Sequence, residues 1–307
     1  MPPKHDPGYG MAIAAVVIGA LVWGLIWYPY RMLKDAGISG PMATQITYLL
    51  AMLFGAFMLP RVWRELKQSG KHAGGWLLLL VLSTGWTNLG YVLAVLNGEV
   101  MRVLLLFYLA PLWTILFSYW LLGERLNRYG YMIILLSLGG AVTMLWKPQF
   151  GPPLPEHPAE WIGLSAGMGF ALSNVVSRRA AFLIEEAKSW SVWIGTALVT
   201  VPVVWMQGGV SAQLASLNAW SMTILALLGL VICTTSYAVQ YGVSRLPANR
   251  SIILFLSELV FAAVSSNLLA GEKMALRDWL GAFLIVSASL LSGKLYTKKQ
   301  DRDPGIA

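Results

Sequence analysis

The sequence predicts an all-α integral membrane protein: ten transmembrane helices forming two inverted five-helix repeats around a central cavity. Three observations carry that expectation. Of the 307 residues, 57% are hydrophobic and only 12% charged, with a mean hydropathy of +0.64; soluble domains average about 25% charged residues. The charges fall in short clusters between apolar runs of about 20 residues, the length that crosses a bilayer. A stretch of the first half, 101–126, also aligns without gaps on 249–274 in the second.

The spans read at 9–33, 40–60, 74–96, 99–121, 128–146, 160–183, 189–207, 219–243, 249–270 and 277–296. The first lacks a short apolar core ending in a small-residue cleavage site, so it is expected to be retained. Span 3 places Thr84, Asn88 and Tyr91 at i, i+4 and i+7, one face of a helix. Span 4 holds Pro111, which has no N–H to donate and marks a bend. The stretch 149–158, with its GPPLPEHP run, continues neither neighbouring helix. It divides the chain into 1–148, an external linker 149–158, and 159–307 with a basic cytoplasmic tail. Span 6 carries Gly163-x-x-x-Gly167, which permits close helix approach, and then Asn174 and Ser177. Span 8 carries Cys233, Ser236, Tyr237, Gln240 and Ser244 on one stripe. Span 9 contains Glu258, the only acidic residue in the middle of a span. Spans 5 and 10 are nearly featureless and suit a supporting role. Trp63, Trp76, Trp146, Trp161, Trp190, Trp205, Trp220 and Trp279 stand near span ends, where half-polar indole rings anchor at the membrane surface.

Orientation follows from the loops. With the N-terminus cytoplasmic, 16 Lys and Arg fall on the cytoplasmic side and 6 on the other. The positive-inside rule then places both termini in the cytoplasm. The stretch MRVLLLFYLAPLWTILFSYWLLGERL aligns on NRSIILFLSELVFAAVSSNLLAGEKM, so Arg102 meets Arg250, Phe107 meets Phe255, and Gly123-Glu124 meets Gly271-Glu272. An odd number of spans per half makes the second copy lie upside down. Inverted repeats around a midplane site are the architecture of secondary transporters.

Several function classes are excluded. The formal net charge of +8 comes with no basic patch or recognition motif, so no nucleic-acid partner is expected. A single cysteine forbids an intrachain disulfide and a cysteine metal cluster. The three histidines lie in loops, and no nucleophile–base pair stands inside a span, so neither an enzyme nor a resident metal or cofactor is expected. A channel would need rings of pore-lining polar groups, which a two-fold repeat does not supply.

Trp23-Gly24 in span 1, Pro111 in span 4, the Gly-Glu-Arg/Lys turns at 123–125 and 271–273, and the repeat itself resemble the drug/metabolite transporter superfamily. The match is to its ten-helix branch built from two EamA-type repeats, over nearly the whole chain. The aromatic-rich first and third spans look closest to YddG-type exporters of aromatic amino acids. One departure is visible: relatives often show Glu-Pro in span 9, whereas Leu259 follows Glu258 here. The resemblance implies an exporter of amino acids, aromatic and other apolar ones, in the bacterial inner membrane, working as a monomer on a small-molecule substrate. Its alternative is an exporter of other metabolites or cationic drugs by proton antiport.

The substrate-binding candidates are Trp27, Asn88, Tyr91, Tyr108, Asn174, Ser236, Tyr237 and Gln240. Uncharged amides and hydroxyls from several helices suit a zwitterion, and phenols in hydrocarbon need partners or water. The same groups also serve interhelical hydrogen bonding, and the pattern alone leaves both roles open. Glu258 reads either as a proton-coupling or ammonium-binding carboxylate or as a packing residue, since a buried charge must face the bundle interior. Pro111 is the candidate hinge.

Overall fold

The computed structural model describes residues 7–98, 100–146, 154–271 and 274–292, and within them the chain is entirely helical. The helices are α1 (Pro7–Asp35), α2 (Gly40–Phe54), α3 (Leu59–Asn97), α4 (Val100–Phe107), α5 (Ala110–Leu122) and α6 (Arg128–Leu145). They continue as α7 (Pro158–Arg179), α8 (Glu185–Gln207), the short α9 (Val210–Ala215), α10 (Ala219–Arg245), α11 (Ala248–Phe255), α12 (Ser257–Ala270) and α13 (Leu276–Leu291).

Among the described residues, eight segments are long and apolar enough to cross a membrane: Gly8–Asp35, Gly40–Gly70, Ala73–Ala94, Arg102–Leu122, Arg128–Leu145, Glu185–Gln207, Ala219–Arg245 and Ala248–Leu269. Helices α7 and α13 occupy the places of expected spans 6 and 10. The first has the length but a more polar composition, and the second has 16 described residues. The polarity of α7 has a physical reason. It packs on α3, α4, α5, α10 and α11, so few of its side chains meet lipid and its polar face costs little. The second span is longer than expected. A 3-10 turn, Gly55–Met58, joins α2 to α3, and helix continues to Gly70, whose φ of +65° turns the chain into the third span.

Packing pairs exchange when the halves are swapped. Helix α3 packs on α7 and α8, as α10 packs on α1 and α2. Helices α4 and α5 lie on α7, as α11 and α12 lie on α1, and α6 packs on α13. The turns agree: Gly123 and Gly271 both end their helices in the left-handed region, each at φ +68°. Glu124 accepts from the Ala248 N–H at 3.2 Å, so the first Gly-Glu-Arg turn caps α11. Glu272 and Lys273, the second half of that comparison, lie outside the described residues, as does the first half of the linker, 149–153.

The tryptophans sort into two groups. Trp63, Trp161, Trp205, Trp220 and Trp279 are exposed, as anchors should be. Trp190 is not: it is buried and meets fully buried Trp193 edge-to-face at 5.6 Å. Those two rings belong to a core of α2, α3, α8 and α10 with Tyr48, Leu77, Leu183 and Ile232.

Gly163 and Gly167 serve close packing. A Cβ on Gly167 would stand 2.4 Å from the Phe107 carbonyl oxygen, and one on Gly163 would stand 3.0 Å from a Val103 methyl. We expect Gly167→Ala to lower stability by about 1–3 kcal/mol through overpacking. Gly139→Ala, with open space at its Cβ, should not. Thermal unfolding of the two variants in detergent checks this.

Candidate functional site

Both halves interrupt the same span. In the first half the helix breaks between Phe107 and Ala110. Pro111 in the opening turn of α5 has no N–H for the Phe107 carbonyl four residues back. That freed carbonyl lies against Gly167 of α7, where no Cβ blocks it. In the second half the break falls at Leu256, which aligns with Tyr108, although Leu259 stands in the proline's place. Here the hydroxyl of Ser257 donates back to the Leu254 carbonyl at 2.6 Å, and the Leu256 N–H is shared between Ile252 and Ile253 carbonyls. The second interruption therefore needs no proline.

The two breaks meet on an aromatic wall. Phe107 touches Tyr91 edge-to-face at 5.5 Å and Tyr108 at 5.4 Å, and stacks on Phe170 of α7 at 5.6 Å. Phe170 in turn meets Phe255 at 5.4 Å. Glu258, in the first turn of α12 and half-buried, has the Tyr108 hydroxyl within hydrogen-bonding reach, and Tyr91 lies close enough to feel its charge. Tyr108 is 5% exposed, whereas Tyr91 retains 36% of its surface, so protein covers the first ring but not the whole of the second. Helix α1 seats this corner: a Cβ on Gly24 would stand 2.7 Å from Phe261 Cβ and 3.0 Å from the Glu258 carbonyl oxygen.

The remaining candidates are distributed around this point. Trp27 donates its indole N–H to Ser265 Oγ at 2.9 Å, and Ser265 donates to the Gly24 carbonyl. Trp27 also lines a cavity of about 510 Å³ with Tyr30, Arg31, Lys34, Asp35 and Gly40. Asn88 is engaged in packing: its amide donates to the Thr84 carbonyl at 2.9 Å and to Thr196 Oγ1 of α8 at 3.0 Å. Asn174 is buried and donates to the Phe170 carbonyl at 2.8 Å. Ser236 and Gln240 are buried on α10. Tyr237 packs against the Trp190–Trp193 core, near Glu185 and Glu186, rather than beside Tyr108. Sequence reasoning missed Phe170 and passed over Phe255. Both were signalled: Phe255 aligns with Phe107, and Phe170 lies one turn from Asn174 on the same helix.

A carboxylate held among aromatic faces can take a proton or an ammonium. The model of the EamA-like transporter family matches residues 10–146 and again residues 157–293. The chain belongs to the EamA-like transporter family. It is therefore a multi-pass membrane protein of a transporter family rather than an enzyme. It is 26% identical to the uncharacterized transporter PA0485 of Pseudomonas aeruginosa over 65% of this chain and 62% of that one. With protein RarD of Streptomyces exfoliatus it shares 26% identity over 88% of this chain and 84% of the other. With the uncharacterized inner membrane transporter YicL of Salmonella typhimurium it shares 24% over 90% and 93%. A protein crystal structure has the same fold, with a TM-score of 0.72 at 18% identity over 98% of this chain and 100% of the other. Each of the two stretches that the family model matches contains one of the interrupted segments, α4–α5 in 10–146 and α11–α12 in 157–293.

Proposed function

We propose that this chain is a secondary transporter that exports amino acids, aromatic and other apolar ones with broad specificity, by alternating access. The observation that carries the reading is the meeting of α4–α5 and α11–α12 on one aromatic wall beside Glu258. Interrupted segments at corresponding positions of two halves mark substrate sites in secondary transporters. Aromatic faces accept apolar side chains, and the carboxylate receives an ammonium or exchanges a proton. In this reading α7 and α13 complete ten spans, and the two five-span halves lie upside down to one another. One chain then supplies both sides of the site and works as a monomer. Residence in the inner membrane agrees with the name of the Salmonella relative. Pro111 is the hinge of the fourth span, and Ser257 performs that role in the ninth.

Export of cationic metabolites or drugs by proton antiport is the second reading. It is favoured by Glu258 standing among aromatic rings, which would hold an ammonium whether or not a carboxylate accompanied it.

The deciding experiment is transport of labelled phenylalanine by proteoliposomes, with and without a pH gradient. Glu258→Gln keeps volume and hydrogen bonding but cannot ionise. It should cut the rate and flatten the pH dependence while leaving folded yield near wild type. An unchanged rate and pH profile would make Glu258 a packing residue.

Selectivity tests the wall itself. One methylene is worth only about 1–3 kcal/mol in an apolar pocket, so broad acceptance is expected. Tyr91→Ala and Tyr108→Ala should change the ratio of phenylalanine to leucine and methionine transport, and Tyr→Phe should do so less. Wild-type ratios in both folded alanine variants would remove the tyrosines from the site.

Topology is tested at exposed His157. His157→Cys in a Cys233→Ala background should react with a membrane-impermeant thiol reagent in intact cells. Reaction only after lysis would reverse the orientation and place the linker in the cytoplasm.

A further inference from the structure

The two halves pack alike except at one end of the bundle. Most pairings occur with their twins: α5 lies on α7 as α12 lies on α1, and α4 on α7 as α11 on α1. Three do not. Helix α5 packs on α11, but among the described residues α12 has no comparable packing on α4. Helix α7 packs on α10 and α11, but among those residues α1 has none comparable on α3 or α4. The three unmatched pairings gather where α5, α7 and α10 finish and α11 begins, and their twins would gather where α12, α1 and α3 finish and α4 begins. The cavity beside Trp27, Tyr30 and Arg31 lies at that second end. In the inverted arrangement proposed above, each end is built from the same elements of opposite halves. Packing present at one end without its twin at the other is then the mark of a bundle shut on one side.

Side chains sew the shut end together. Asn249, buried at the start of α11, donates its amide to Ser118 Oγ of α5 at 2.8 Å. Glu124, just past α5, accepts from the Ala248 N–H and pairs with Arg178 of α7 at 3.9 Å. Arg178 donates to the Ser244 carbonyl of α10 at 2.7 Å, and Lys188 of α8, 0% exposed, donates to the Ser244 hydroxyl. The clasp therefore joins α5 of the first half to α7, α8, α10 and α11 of the second. The Arg61–Glu186 pair also crosses between halves, but the Arg61 side chain is 71% exposed, so that pair adds little. The Asn249–Ser118 bond has no twin in the sequence. Ser266 matches Ser118, but Met101 stands in the place of Asn249, and a thioether has no hydrogen to donate.

We propose that Ser118, Glu124, Arg178 and Asn249 form the gate at one end of the transport path, and that the conformation described is the one shut at this clasp and open at the other end. The gate rests on the alternating-access reading above and names the residues that hold one of its two states. Phe170, Asn174 and Arg178 stand at i, i+4 and i+8 on α7, so Asn174, 5% exposed, lies between the aromatic wall and the clasp. Tyr91 lies on the far side of Phe170, since its neighbour Gly90 stands against Ala166. Opening requires the end of α5, with Ser118 and Glu124, to draw away from α7 and α11, and the break before Pro111 supplies the pivot. Glu124 and Arg178 keep 16% and 21% of their side-chain surface exposed, so water can take over their hydrogen bonds as they part. Weakening the clasp shifts the population toward the state open at that end.

The test reads accessibility, which needs no transport. In a Cys233→Ala background, Asn174→Cys reports from behind the clasp and Tyr91→Cys from the far side of the wall. A membrane-impermeant thiol reagent is added to each face in turn, using inside-out and right-side-out vesicles. With the clasp intact, Tyr91→Cys should react from the face opposite the clasp, and Asn174→Cys should react slowly from the clasp face. Ser118→Ala and Asn249→Ala remove the buried bond, and Glu124→Gln removes the charge pair while keeping an acceptor for Ala248. Each should speed reaction at Asn174→Cys at least tenfold from the clasp face and slow reaction at Tyr91→Cys severalfold. Ser118→Ala deletes a single oxygen and decides the matter if Asn249→Ala folds poorly. Unchanged rates in the folded variants would overturn the gate. So would faster reaction at both reporters, which marks a packing contact whose loss loosens the whole bundle, or no reaction of Tyr91→Cys from the opposite face. Reciprocal rates that added phenylalanine does not alter would leave the gate standing and count against the amino-acid reading instead.

Discussion

Hydrocarbon offers no partner to a backbone carbonyl, and this constraint shapes the molecule around residues 107 and 256. A helix broken at bilayer depth must bury its break in protein. Phe107 loses the N–H of residue 111 to a proline, and its carbonyl is received by the bare backbone of Gly167. Around Leu256 the backbone is covered by Ser257 and a shared N–H. Once both breaks are internal, the side chains beside them are internal too. Tyr91, Phe107, Tyr108, Phe170, Phe255 and Glu258 are thereby gathered in one place. The aromatic wall is thus a by-product of where the backbone can afford to stop being helical.

Polarity then follows position. Helix α7 carries Ser173, Asn174 and Ser177, all buried, because it is surrounded by other helices. Helix α13, peripheral and packed chiefly on α6, exposes Leu276, Trp279, Leu280, Phe283 and Leu290. The small residues of α7 let α4 approach, and its hydroxyls bond back to its own carbonyls, as Ser173 does to Phe170 at 2.8 Å. A helix read alone as insufficiently apolar is acceptable in the middle of a bundle.

Much of this was legible in the sequence. Composition, the proline linker and the repeat pointed to a helical membrane protein with two similar halves, and the family match at 10–146 and 157–293 agrees with that likeness. Pro111 announced one break, and Gly163 and Gly167 announced the surface that covers it. The turns at Gly123 and Gly271 were legible because few other residues tolerate a positive φ. What escaped was partnership across helices. Asn88 and Tyr91 share a face, but only the tertiary arrangement commits Asn88 to Thr196. Trp190 resembles an anchor by its place near a span end, and its burial comes from the neighbouring core. Lys188 looked like one more basic residue of a loop. Its burial arises because α8 begins earlier than the apolar run suggests and meets α10 at Ser244.

The exchange of partners between halves bears on how the chain is made. Helix α1 rests on α10 and α12, which leave the ribosome about 180 residues or more after Asp35 has done so, a delay of roughly 10–40 s at 5–20 residues per second. During that interval Gly19 and Gly24 present a notched surface whose protein partners, Val239, Phe255, Glu258 and Phe261, have not yet been made. The first half therefore waits in the bilayer as an unfinished mould, filled by lipid or by insertion factors. Biogenesis ends in a late interleaving of two half-built bundles, and variants at these glycines would be judged first by the quality-control machinery of the membrane.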